Sequence, residues 1–112
     1  MRLWHKDLIP VLPRQQLLSQ WMECCCIAQN LAVGGTPNHI LVNRVLDYPP
    51  AHFEMYCKKV HFEMQRRGYK VKDTVLVTLL RNLRDASTKK EFNRDVIVTL
   101  FETWHNDRYF WQ

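Results

Sequence analysis

Nowhere in the 112 residues do eighteen apolar residues run together, which excludes a membrane-spanning helix. The N-terminus shows no apolar run after a basic start and no small-residue cleavage site, so the expectation is a soluble, cytoplasmic protein. A disulfide framework is also lacking. Of the four cysteines, Cys24, Cys25 and Cys26 are consecutive on one predicted helix, and with Cys57 they read as core thiols in a reducing compartment. No C-x-x-C pair or helical histidine pair accompanies them, so no metal is expected. His52 and His61 lie nine residues apart, about 180° around a helix, and cannot share an ion. His5 and His105 have no visible partner and read as satisfied or surface histidines. The stretch Val33 to Asn38 holds paired glycines and a proline, but it lacks a Lys-Ser or Lys-Thr pair and a preceding strand. It reads as a connector, not as a phosphate-cradling loop. Internal repeats, low-complexity segments and strand-like alternation are missing as well, so no sheet of any size is expected.

What is present fits an ordinary globular chain. Apolar residues make up 46% and charged residues 24%, which excludes a disordered polymer, and the length suits one compact domain spanning residues 1–112. Sixteen Lys and Arg against eleven Asp and Glu give a formal charge of +5, which favours a polyanionic partner.

The stretch Pro13 to Gln29 organises the rest. Leu17, Leu18, Trp21, Cys24, Cys25 and Ala28 recur at helical spacings, with Pro13 in the first turn, and predict a largely buried amphipathic helix. Glu23 sits among them. It either pairs with Arg14 or a more distant cation, or stands half desolvated beside a reactive group, where it suits acid–base work. Before it, Met1 to Leu12 form an N-terminal arm kept extended by Pro10 and Pro13.

After the connector, His39 to Leu46 is a short apolar segment readable as one or two helical turns or as a strand. Residues Ala51 to Arg67 predict a second helix, its apolar set Phe53, Met55, Tyr56, Val60, Phe62 and Met64, with Gly68 closing it. Arg66 and Arg67 at its end serve either as capping charges or as phosphate contacts. Asp73 or Thr74 can start another helix through VLVTLLRNL, although its β-branched residues leave a strand open. Thr88 to Glu91 fits a capping box for a third long helix running toward His105. The closing run Asp107 to Gln112 sets three aromatics beside one arginine, for core packing or for stacking on bases. The fold class expected is all-α: one compact domain of three main helices plus short helical segments.

The start Met1-Arg2-Leu3-Trp4, the run Leu12-Pro13-Arg14-Gln15-Gln16-Leu17-Leu18, and Glu23-Cys24-Cys25 resemble the pyrimidine-dimer DNA glycosylases, the endonuclease V family, in its small bacterial branch. Arg67-Gly68-Tyr69-Lys70-Val71-Lys72-Asp73 is similar to the segment that ends that family's second long helix. The resemblance implies a single helical domain that repairs damaged double-stranded DNA, at pyrimidine dimers or abasic sites, as a glycosylase with abasic-site lyase activity. It also implies an N-terminal amine as nucleophile, which carries over to Met1, and a helix glutamate as its partner, which carries over to Glu23. Arg2 looks like the arginine that follows the nucleophilic residue, and its bulk implies that Met1 is retained. Arg14, Gln15 and His39 carry over as DNA contacts, with a monomer as the expected state and no metal, organic cofactor or membrane involved. The chain departs from the family pattern at Met22 and Cys26, where the family has arginines, at Gln16 for a histidine, and at Asn38 for a lysine. A helical module that keeps the fold and binds nucleic acid or protein without catalysis is the alternative.

Overall fold

Pro13, fixed at φ −57° and ψ 156°, turns the chain out of the N-terminal arm, and its carbonyl accepts the first helical bond from the Leu17 amide at 3.0 Å. From there α1 (Arg14–Ala32) runs for 19 residues and buries Leu17, Trp21, Cys24, Ile27, Ala28 and Leu31 along one stripe. In this computed structural model residues 4, 6–33 and 50–89 are described. They comprise a 3₁₀ helix (Lys6–Val11), α1, α2 (Pro50–Arg66) and α3 (Asp73–Lys89), with no strand among the described residues. The fold is all-α, as the periodicity of its apolar residues implies. None of its helices is long and apolar enough to cross a membrane among the described residues.

Helix α2 is buried over a wide arc by Phe53, Tyr56, Cys57, Val60 and Met64, and it also buries His52, His61 and Glu63. Met55 and Phe62, expected in its apolar set, are instead 49% and 65% exposed. They are seven residues apart and so share one face, which is the face that carries Lys58, Lys59 and Arg66 outward. Trp21 and His61 meet with ring centroids 5.3 Å apart, joining α1 to α2.

The end of α2 is built by hydrogen bonds. The Gly68 amide donates to the Gln65 carbonyl and the Tyr69 amide to the Met64 carbonyl, each at 2.9 Å, and Gly68 takes φ +80°. That is a Schellman stop, and the left-handed residue in it is the reason for glycine there. A Cβ at Gly68 would meet nothing within 4 Å, so Gly68→Ala should cost about 1 kcal/mol through backbone strain alone. Denaturant midpoints at unchanged slope are the readout.

Helix α3 begins at Asp73, whose charge suits the first turn, and packs mainly on α1 through Leu79, Leu83 and Ala86. The VLVT stretch is helical, so burial of the leucines outweighs the β-branched propensity that left a strand open. Thr88 lies in the last turn of α3, its hydroxyl donating to the Asp85 carbonyl at 2.8 Å. It is therefore not the N-cap of a following helix. The expected helix toward His105, the segment His39 to Leu46 and the aromatic C-terminus lie outside the described residues.

A buried ionic clamp ties the N-terminal arm to α2. Glu63, 4% exposed, accepts from Arg66 Nε and Nη2 at 2.9 and 2.6 Å and from Arg67 Nε at 2.6 Å. Arg67 then reaches back to the end of the 3₁₀ helix, donating to the carbonyls of Leu12, Pro10 and Ile9 at 2.7, 3.1 and 3.3 Å. Of the two roles open for this pair, Arg67 is a structural strut. Its loss removes several charge-assisted bonds, each worth about 1.5–3 kcal/mol, so Arg67→Ala should lower the melting temperature by about 10 °C.

The bonds from Arg66, and then those from Arg67, hold the Glu63 carboxyl below its ordinary value of 4.5, against the opposing pull of burial. Folded Glu63 thus releases its proton more readily than unfolded Glu63. The clamp stabilises the fold fully above about pH 4.5, and its contribution is lost as pH falls through the lower folded value. Glu63→Gln should flatten this acid limb in melting curves recorded against pH.

Candidate functional site

Helical spacing sets Gln16, Gln20, Glu23 and Asn30 along one flank of α1, beside its apolar stripe. Glu23 is half-buried there, and among the described residues neither an ion pair nor a hydrogen bond engages it. Arg14 is not its partner. Nine residues separate them, about 13 Å along the axis and half a turn around it, and the Arg14 guanidinium lies 5.1 Å over the Tyr69 ring instead. The contact keeps Arg14 exposed at the foot of α1, where cation–π attraction and not a carboxylate orients it. Gln15 is exposed beside it. Met1, Arg2 and His39 lie outside the described residues.

The side chain one turn before Glu23 is the one that sequence reasoning missed. Gln20 is 1% exposed, and its Oε1 accepts the Trp4 amide at 2.8 Å. On the other side of the same residue, the Tyr56 hydroxyl donates to the Trp4 carbonyl at 2.6 Å. Both polar groups of Trp4's backbone are thus held, one by α1 and one by α2. Burial, with the nearby Cys24 and Cys57 thiols, pushes the Tyr56 phenol well above its ordinary value of 10, so it stays protonated and donating. A glutamine within an otherwise apolar helical stripe, three residues before the acid, was the available signal for this anchor.

Two departures from the family pattern fall on the outer face of the same helix. Met22 is 62% exposed and Cys26 is exposed, so an arginine absent at either position removes a surface cation and not a packing contact. Apart from Arg14, α1 carries no Lys or Arg. Cys25 and Cys57 are poor nucleophiles. Burial, chiefly, pushes the Cys25 thiol up to about 11 and the Cys57 thiol well above its ordinary value. Among the described residues no three His, Cys, Asp or Glu side chains converge as metal ligands.

A cavity of about 460 Å³ lies between α1 and α3, with Cys25, Gln29, Thr74, Thr78 and Asn82 in its lining. It opens on the opposite flank of α1 from Glu23, since residues two apart point about 160° away from each other. Among the described residues its lining holds no carboxylate and no cation, so it offers no acid–base group.

These positions define a helical domain in which the N-terminal arm is anchored beside a half-buried carboxylate on the first long helix. The family model described as pyrimidine dimer DNA glycosylase matches residues 1–77, well over half of the chain and including all of α1 and α2. The chain belongs to that family. No curated protein and no solved structure matches it. Membership gives the protein a DNA glycosylase kind of function in DNA repair, with DNA as the molecule it acts on.

Proposed function

We propose that this glycosylase also cleaves abasic sites, acting on damaged double-stranded DNA through an imine between the Met1 α-amine and C1′ of the lesion. One observation carries the reading: Trp4 is fixed against Gln20, one helical turn from Glu23. Three residues separate that anchored amide from the Met1 nitrogen, a contour of at most about 11 Å, which is long enough for the leading amine to reach the Glu23 carboxylate. Glu23, with no ion pair among the described residues, is available to a cation that develops during reaction.

In the first step the amine nitrogen bonds to C1′ as the glycosidic C–N bond breaks, and the base leaves with the electron pair and takes up a proton. Opening of the sugar ring gives the protonated imine. Loss of a C2′ proton then expels the 3′ phosphate by β-elimination. Glu23 stabilises the positive sugar in the first step and moves protons in the second. The lesion must leave the stack to reach these groups, at a cost of a few kcal/mol that is smaller where the base is damaged or missing. Met1 and Glu23 are the catalytic pair in this reading, while Arg2, Arg14, Gln15 and His39 contact the DNA. The unit at work is the single domain of residues 1–112, acting as a monomer.

Borohydride reduction in the presence of duplex DNA holding one abasic site tests the reading. A covalent protein–DNA adduct that grows with time is the expected result. Free protein recovered alongside bound but unreacted DNA would instead mark a helical module that binds without catalysis.

A further inference from the structure

Where the 3₁₀ helix crosses α2, the surface opens into a slot of about 300 Å³ that the chemistry above does not use. Its walls are Ile9 and Pro10 on one side and Phe62 on the other, with Lys59 and Arg66 at the rim and Glu63 below. Phe62 is 65% exposed, an uncommon position for a phenylalanine with no other role. Lys59 and Arg66 sit three residues before it and four after, so both flank the ring on the same helical face. The local charge is positive. Glu63 is matched by Arg66 and Arg67, which leaves Lys59 and one of the two arginines uncompensated.

An exposed ring with cations on either side is the arrangement that single bases and their phosphates recognise: the ring offers a stacking face and the cations take the backbone. The slot is large enough for one base. Its position relative to the anchored arm also matters, because Ile9 in its wall lies five residues from Trp4. Two extended and three 3₁₀ steps span at most about 13 Å, or roughly four nucleotides at 3.4 Å each along one strand. With α1 holding a single cation, positive charge for the strand has to come from other elements, and the exposed face of α2 supplies it.

We propose that this slot seats one nucleotide of the DNA strand leading away from the lesion, its base against Phe62 and its phosphate against Lys59 and Arg66. The inference rests on the DNA-repair reading for its partner but not for its chemistry. It makes Phe62 and Lys59 positioning residues that set how much flanking DNA the protein needs.

Equilibrium binding to abasic-site duplexes of graded flank length tests it, with fluorescence anisotropy as readout. Phe62→Ala should weaken binding about tenfold when at least six nucleotides flank the lesion on both sides. Lys59→Ala should reduce the salt slope by about one. Both effects should vanish once the flank on the responsible side is cut to two nucleotides, and Phe62→Trp should restore affinity where Phe62→Leu does not.

Unchanged affinity and salt slope in both variants at every flank length would overturn the proposal, as would full rescue by Phe62→Leu, which keeps apolar bulk without a stacking face. The two readings fail separately. A parent protein that never traps but loses affinity on Phe62→Ala contradicts the lyase chemistry and supports the slot; trapping with affinity untouched by either variant does the reverse. Phe62 and Lys59 are both exposed, and circular dichroism of each variant separates a binding loss from a folding loss.

Discussion

Acetylating the N-terminal amine, or extending the chain by a few residues before Met1, should abolish borohydride trapping and lower strand cleavage at abasic sites by at least about 300-fold. The magnitude follows from acid–base chemistry. An α-amine has an ordinary pKa of roughly 7.7 to 8.0 against about 10.4 for lysine, so near neutral pH the fraction in the nucleophilic, uncharged form is roughly 300 times greater. No lysine side chain takes over at that handicap without being desolvated. The anchoring of Trp4 adds a positional reason, because an extension moves the reacting nitrogen away from Glu23 while the Gln20 and Tyr56 bonds keep the arm in place. DNA affinity of the acetylated protein should fall only slightly, since the sixteen Lys and Arg side chains all keep their charge and only the terminal amine loses its own. Blocked protein that still traps efficiently would assign the imine to another nitrogen.

Glu23→Gln should reduce single-turnover cleavage by about 10² to 10⁴ while leaving DNA affinity within a few-fold of the parent. The amide keeps the shape of the side chain and removes its charge and its capacity to take a proton, which is the contribution expected of a positioned acid–base group. Stability should be nearly unchanged. Glu23 is half-buried and joins no ion pair among the described residues, so the exchange strands no partner among them. That separates it from Glu63, where the same substitution strips two arginines of their carboxylate. Comparing the two variants distinguishes a carboxylate that acts in the chemistry from one that braces the fold. A Glu23→Gln protein that is fully active but melts early would place Glu23 with Glu63 among the structural acids.

Much of this architecture is legible in the chain because its signals are local. Leu17, Trp21, Cys24 and Ala28 fix the buried face of α1 through spacing alone, and Gly68 marks the end of α2 through the one backbone conformation that disfavours a side chain. The α3 segment was ambiguous for a physical reason, since Val75, Val77 and Thr78 suit a strand until Leu79, Leu83 and Ala86 find α1. Periodicity also placed Met55 and Phe62 inside, because a helix buried over a wide arc leaves little pattern to show which apolar residue falls on the free side.

The contacts that build the site were less legible because they join distant parts of the chain. Gln20 meets Trp4 across 16 residues, Tyr56 meets it across 52, and Arg67 reaches Leu12 across 55. Nothing in local composition distinguishes Arg67, a strut for the N-terminal arm, from Arg66 beside it, which is the more exposed of the pair. Residue pattern singled out Glu23 with a structural and a catalytic role both open, the family resemblance implied the second, and the anchoring of Trp4 one helical turn away supports that proposal.

The central claim is that the leading nitrogen of this chain bonds to the sugar of the lesion. Reducing the protein–DNA complex with borohydride, digesting both components and sequencing the modified peptide by tandem mass spectrometry tests it directly. The account predicts a deoxyribose-derived mass on the α-nitrogen of Met1, with every lysine unmodified. An adduct on a lysine side chain, or a peptide map with no modified residue after complete cleavage of the DNA, would contradict it.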